Sequence, residues 1–228
     1  ENLVELALRH GAEIDQKNSN GCTALISAAF FGHPAVVRRL LRAGAGMAAR
    51  TENGTTALHT ACQKGHIEMH RLLLAADASI DQAAFGFTPL HIACQFGRTE
   101  IARLLVHAGA AVNQATNQGV TPLHLVCQGG HADIGRLLLE ARAAVDQADE
   151  DAETPLYLAC QEGHVDIVHL LLEANAAVDQ AGDSGFTPLH LACEGGHPDI
   201  LRLLLEASAA VNPACDHGAT PLHIACHK

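Results

Sequence analysis

A cysteine stands four residues before a histidine at Cys62 and His66, Cys127 and His131, Cys160 and His164, and Cys193 and His197. Thiolate and imidazole at that spacing look like half of a tetrahedral zinc site. Two features argue against metal. Each Cys lies on the apolar side of a helical pattern, whereas each His follows a Gly that ends it. The remaining ligands would also have to come from a neighbouring helix about 10 Å away. No metal and no cofactor are expected. Six of the eight cysteines, Cys62, Cys94, Cys127, Cys160, Cys193 and Cys226, recur in one slot of a repeating pattern. Equivalent atoms of packed helices lie about 8–10 Å apart, and a disulfide needs Cα atoms within about 7 Å. These thiols therefore read as small buried residues of a reducing compartment. Cys22 and Cys215 fall in turn regions and are expected to be accessible.

Catalytic arrangements are not found. There is no phosphate-cradling Gly-rich loop with Lys, no G-x-S-x-G elbow, and no carboxylate pair outside ordinary helix faces. Ser–His and Cys–His neighbours recur only with the repeat. The chain is expected not to be an enzyme; catalysis, if the protein has any, would lie in an attached domain. Sixteen histidines could serve as an acid–base store or a pH sensor, and they have to be sorted by position before that reading can stand.

The elements that position these residues follow from self-similarity. T-[AP]-L recurs at Thr23, Thr56, Thr88, Thr121, Thr154, Thr187 and Thr220, at intervals of 33, 32, 33, 33, 33 and 33 residues. Thr accepts well at a helix N-cap, and Pro at the next position gives up an amide that would be unpaired anyway. Each Thr thus opens a helix that runs through L-H-x-A-C to a Gly, where the chain can turn. A second helix carries I-x-x-L-L-L. An Ala-rich turn follows, then V-D-Q-A or V-N-Q-A and a short polar stretch ending in Gly, the chemistry of a tight hairpin. A 33-residue unit cannot bury both its helices alone, so stacked neighbours must supply the core.

T-P-L-H-x-A-C, G-H-x-[DE]-I and L-L-L-E-A together resemble the ankyrin repeat family, over the whole chain. The fold class implied is all-α with short β-hairpins, a solenoid of helix-turn-helix units stacked side by side. Complete repeats are expected at 14–46, 47–79, 80–111, 112–144, 145–177 and 178–210, with partial repeats at 1–13 and 211–228. Glu1 begins inside helical periodicity and Lys228 stops inside a motif, so a longer parent chain is expected. In the family, His59, His91, His124, His190 and His223 in the T-P-L-H slot, and His33, His66, His131, His164 and His197 after Gly, orient turns by hydrogen bonds; a coupled pH response is a second reading of the same residues. Departures stand out. Ile26 and Tyr157 replace the first His, and Arg98 replaces the second. The third repeat is one residue short between Ile80 and Thr88, and Ala152 stands where other hairpins have Gly, so both hairpins are expected to differ in shape.

Charge is uneven. Residues 1 to 107 carry ten Lys/Arg against nine Asp/Glu, and residues 108 to 228 carry four against sixteen, so the halves stand near +1 and −12. That field repels phosphate and favours a basic protein segment over nucleic acid. No run of about 18 apolar residues suggests a membrane span, and the reduced thiols make an intracellular setting the expectation, cytoplasmic with the nucleus as the alternative.

What the resemblance implies is a non-catalytic module that binds a partner polypeptide on its concave face, at hairpin tips and first-helix ends. The alternatives are a regulatory ankyrin domain of a channel or multidomain enzyme, and a permanent structural subunit. All six phenylalanines fall in the expected contact slots: Phe30, Phe31, Phe85, Phe87, Phe96 and Phe186. Exposed large aromatics make anchors for a partner, although Phe87 and Phe186 could instead pack on a hairpin. Glu150, Asp151, Glu153, Glu162, Asp183 and Glu194 occupy such slots in repeats five and six, where a solvated acidic face is the competing reading. The expected partner is an extended or helical segment, apolar towards repeats one to three and basic towards repeats five and six. Asn113 and Asn212 resemble hairpin asparagines that hydroxylases modify in this family.

Overall fold

A computed structural model describes residues 3–226; Glu1 and Lys228, and what was expected of the chain's two ends, lie outside them. The chain divides into two compact units, Glu1–Ala111 and Val112–Lys228. The division falls where the fourth complete repeat was expected to begin.

The first unit contains α1 (Leu3–Arg9), α2 (Ala24–Phe31), α3 (Pro34–Arg42), α4 (Ala57–Lys64), α5 (Ile67–Ala75), α6 (Pro89–Gln95) and α7 (Thr99–His107). Consecutive pairs α2–α3, α4–α5 and α6–α7 pack together, α4 packs between α2 and α6, and α5 between α3 and α7. The second unit repeats this plan. It contains α8 (Pro122–Gly129), α9 (Ala132–Glu140), α10 (Pro155–Glu162), α11 (Val165–Glu173), α12 (Pro188–Gly195), α13 (Pro198–Glu206) and α14 (Pro221–Ala225). Inner helices α8, α10, α12 and α14 stack in sequence, and outer helices α9, α11 and α13 do the same. Each unit is therefore a stack of helix-turn-helix repeats, as the sequence led one to expect.

Local chemistry sets the helix ends. Each inner helix follows a Thr in extended conformation, such as Thr56 at φ −97° and ψ 171°. The Thr56 hydroxyl accepts from the His59 amide, and the His59 ring receives the Thr56 amide in return, which serves two otherwise unpaired donors. At the other end Gly65 turns left-handed at φ 76°, and the His66 amide closes on the Ala61 carbonyl. The inner helices pack closely because their facing slots are small: Ala61, Cys62, Ala93, Cys94, Ala159 and Cys160 have no exposed surface. Leu73, Leu105, Leu138 and Leu171 of the outer helices are buried as completely, and truncation of such a leucine to alanine costs about 2–5 kcal/mol.

All eight cysteines are free thiols. Two of them differ from expectation. Cys215, expected to be accessible in its turn, is only 5% exposed. Cys226, in the slot that is buried elsewhere, is exposed, because no further helix among the described residues covers α14.

The hairpins also bring one correction. In most of them a residue donates to the carbonyl four positions on and accepts from the amide three positions on, as with Thr51, whose partners are Thr55 and Gly54. The third repeat, one residue shorter, closes instead as a two-residue turn, with Ala84 and Phe87 exchanging both backbone bonds at 2.8 and 3.0 Å. Phe85 and Gly86 at its centre both have positive φ, 52° and 83°, as such a tight turn requires. The fifth hairpin does not change shape. Asp149 keeps the usual partners, Glu153 and Ala152, and Ala152 takes the glycine's conformation at φ 57°. There the backbone pattern overrides the alanine's own preference.

Candidate functional site

The candidate aromatic cluster lies in the first unit. Phe30 and Phe31 end α2 because Gly32, left-handed at φ 71°, stops the helix just after them. Their rings meet edge to face at 5.1 Å, and Phe31 is 67% exposed. Lys64, at the end of α4, places Nζ 4.2 Å from the Phe30 ring centre. A cleft of about 540 Å³ opens beside the pair, lined also by Cys22, Glu52, Thr55 and Gln63. Thr55 and Gln63 line a second cleft of about 320 Å³ as well, whose other walls include Phe85, Phe87 and Ile92. The two clefts are thus neighbours across the first helix of repeat two.

Phe85 stands at the tip of its hairpin with 76% of its surface exposed. Phe87 is half-buried, its ring 5.7 Å from that of His91, and Phe186 is likewise half-buried at 5.2 Å from His190. Phe96 caps α6 and is exposed, outside both clefts. Five of the six phenylalanines therefore belong to the first unit, and four of them line the paired clefts.

The candidate acidic cluster lies in the second unit. Glu150, Asp151 and Asp183 are exposed at hairpin tips, and Glu162 and Glu194 are exposed near the ends of α10 and α12. Backbone bonds link successive tips: the Glu150 amide donates to Gln118 O at 3.0 Å, and the Asp183 amide to Asp151 O at 3.2 Å. Asp149 organises its own tip, its Oδ1 accepting from the amides of Asp151 and Glu153, both at 3.0 Å. Glu153 is half-buried. Burial, and then the charges of Asp149, Asp151 and Asp183, raise its carboxyl above the usual range. The tips hold negative charge close enough for one carboxylate to feel three others.

Sequence reasoning singled out Cys22 and Tyr157 without giving them a part in the site, and it missed Asp149. Tyr157, in the usual His slot, is buried, and burial, followed by the charge of Glu153, raises its hydroxyl above the usual range. A Cβ on Gly182 would lie 3.1 Å from the tyrosine ring, which explains the glycine there. A polar residue at the start of several hairpins was the available signal for Asp149, since Asn18 and Thr116 make the same local bonds.

The histidines in the T-P-L-H slot do connect repeats. His59 Nε2 lies 3.0 Å from Phe87 O, His124 Nε2 lies 3.1 Å from Glu153 O, and His190 Nε2 lies 3.2 Å from Ala219 O. After the glycines, His66 and His164 reach the carbonyls of Phe30 and Gln128, both at 3.2 Å, and Arg98 reaches Gln63 O through two nitrogens. Asn113 is exposed but engaged: Oδ1 accepts from the Ala144 amide at 2.7 Å and Nδ2 donates to Arg142 O. Asp15, Asp81, Asp146 and Asp179 accept in the same way from the amides of Gly46, Ala111, Ala177 and Ala210, at the far end of the same repeat. Asn212 is exposed. Among the described residues no group of three His, Cys, Asp or Glu side chains could hold a metal ion, and no helix is long and apolar enough to cross a membrane.

A family model described as ankyrin repeats (3 copies) matches residues 1–84, 43–116, 108–181 and 174–228. The crystal structure of the human ASB11 ankyrin repeat domain is similar, with a TM-score of 0.82 and 30% identity over 90% of this chain and 92% of that one. Comparison with curated proteins returns no match. Ankyrin repeats are generally protein–protein interaction modules. With the family model spanning the chain and an ankyrin repeat domain matching its fold, the chain belongs to the ankyrin repeat family.

Proposed function

We propose that this chain holds a partner polypeptide on the concave side of its repeats, at hairpin tips and inner-helix ends, without catalysing a reaction on it. Phe85 is the observation that carries this reading. A bulky aromatic in the left-handed region is a genuine outlier, and this one gains nothing from burial at 76% exposure. Asn or Gly would suit the turn better, so the ring's use lies outside the folded chain. Phe30, Phe31 and Phe96 are further anchors, with Phe87 and Phe186 contributing the half-buried edges they leave open.

In this reading the first unit takes apolar side chains of the partner, and Glu150, Asp151, Glu153, Glu162, Asp183 and Glu194 in the second take its Lys and Arg. Crowded carboxylates favour an approaching cation. The eight free thiols are compatible with a reducing, intracellular setting. Asn113 and Asn212 are proposed as hydroxylation sites, to be checked by intact mass for a gain of one oxygen atom each.

The test is affinity capture with the intact protein and with Phe30→Ala, Phe31→Ala, Phe85→Asn and Phe96→Ala variants, each at low and high salt. Partners that vanish with the phenylalanine changes and weaken with salt support the reading. Capture indifferent to both would sink it.

A further inference from the structure

Helix α5 carries a histidine where the other outer helices carry an apolar residue or glycine: His70 occupies the slot of Val37, Ala102, Gly135, Val168 and Leu201. Its side chain has 0% exposure, and neither Nδ1 nor Nε2 meets a hydrogen-bonding partner among the described residues. His59 and His124, also buried, differ in that both ring nitrogens are engaged. A buried polar group left unpaired weakens the packing around it, and an unpaired buried charge does so far more.

The surroundings offer no place for that charge. Helix α5 packs on α3, α4 and α7. The only carboxylates on these four helices are Glu68 and Glu100, and both already face arginines, Glu68 with Arg38 and Glu100 with Arg71 and Arg103. Arg39 pairs with Glu5, Lys64 lies over Phe30, and Cys62 is a buried neutral thiol. Arg42 and His107 are exposed, and His59 is committed to Thr56 and Phe87. Burial, and secondarily the positive charge of Arg71, holds the His70 imidazole down at about 4 against an ordinary value of 6.5.

We propose that repeat two is an acid-sensitive catch: neutral His70 lets α5 close on α3, α4 and α7, and proton uptake by the opened form releases it. The opened form takes its proton below about pH 6.5 and the closed form only near pH 4. The closed form's advantage is therefore complete above the first value and declines as pH falls through the interval. Between pH 7.5 and pH 5 the opening equilibrium of α5 rises about 30-fold. Helix α4, which packs on α5, contributes Thr60 and Gln63 to the cleft beside Phe30 and Phe31. Release of α5 loosens that wall, a consequence that rests on the partner-holding reading above, whereas the opening itself does not.

Amide hydrogen exchange of the whole chain without partner, corrected for intrinsic rates between pH 7.5 and 5, compares wild type with His70→Val, the residue found at Val37 and Val168. His59 is present in both proteins, so its contribution cancels. The expected result is a loss of protection in wild-type α4 and α5 of about 30-fold beyond the loss seen in His70→Val. Equal pH dependence in the two proteins overturns the proposal, as does wild-type α5 protection that does not change with pH. His70→Leu repeats the comparison if the valine variant folds poorly. Partner capture at pH 7.5 tests the binding reading separately, so the failure of one is not mistaken for the failure of the other.

Discussion

The imidazole of His59 stands between two repeats: Nδ1 lies 2.8 Å from Thr56 Oγ1 at the start of its own helix, and Nε2 lies 3.0 Å from the carbonyl oxygen of Phe87 in the next hairpin. The neutral Nε2–H form satisfies both ends, since Nδ1 accepts from the Thr56 amide and Nε2 donates to Phe87. One side chain thus caps a helix and sets the distance to its neighbour.

His59→Ala should cost about 2–4 kcal/mol, because it strands a buried amide and a carbonyl together; urea unfolding at pH 7.5 measures it. Burial also pushes the His59 pKa below its ordinary value, and the Phe87 bond only partly offsets this. A depressed folded-state pKa means stability that is full above about 6.5 and falls as pH drops below it. His124 shifts in the same direction. Wild-type stability should accordingly fall from pH 7.5 to 5.5. A flat profile would remove acid sensitivity as a property of these histidines.

Phe85→Asn should raise stability by about 1 kcal/mol, since it relieves a left-handed aromatic in a turn that suits Asn followed by Gly. The same change should weaken partner capture. Phe96→Ala should weaken binding by roughly 2 kcal/mol if its ring is a central anchor, with little effect on the urea midpoint. Paired calorimetry and unfolding curves separate the two effects. A Phe85→Asn protein that binds as well as wild type would remove Phe85 as the anchor.

Ala152→Gly should stabilise the second unit by about 0.5–1 kcal/mol. The alanine is held at φ 57° in a hairpin whose counterparts have glycine there, and glycine adopts that conformation without a Cβ penalty. A shift in thermal midpoint with unchanged hairpin amide exchange would show that the gain comes from strain alone.

Thiol labelling of the native protein should divide the cysteines. Burial raises the pKa of Cys62, Cys94 and Cys160 well above the ordinary thiol range, so these should stay unmodified by an alkylating reagent at pH 8 until the chain unfolds. Cys226, which is exposed, should react first. Peptide mass spectrometry reads the order directly, and early modification of Cys62 or Cys94 would contradict the packed inner-helix core.

Helix starts and stops were determined by the sequence itself, because capping is a matter of a few adjacent residues. Thr56 with His59, and Gly65 after Lys64, make their bonds within one turn, and the period repeats them. The same locality explains why the small Ala-Cys slots were readable as core. What the tertiary structure decided concerns side chains whose fate depends on atoms some thirty residues away. Cys215 is buried although it lies in a turn, Tyr157 lies against Gly182, and Phe85 is committed to the left-handed region because a shortened hairpin still has to close. His70 carries an ordinary residue letter in an ordinary helix, and only the packing of α3, α4 and α7 around it leaves its two nitrogens without partners. Period and capping are local and additive, so they show in the chain; burial and partnership arise between repeats, where no single stretch of sequence contains both participants.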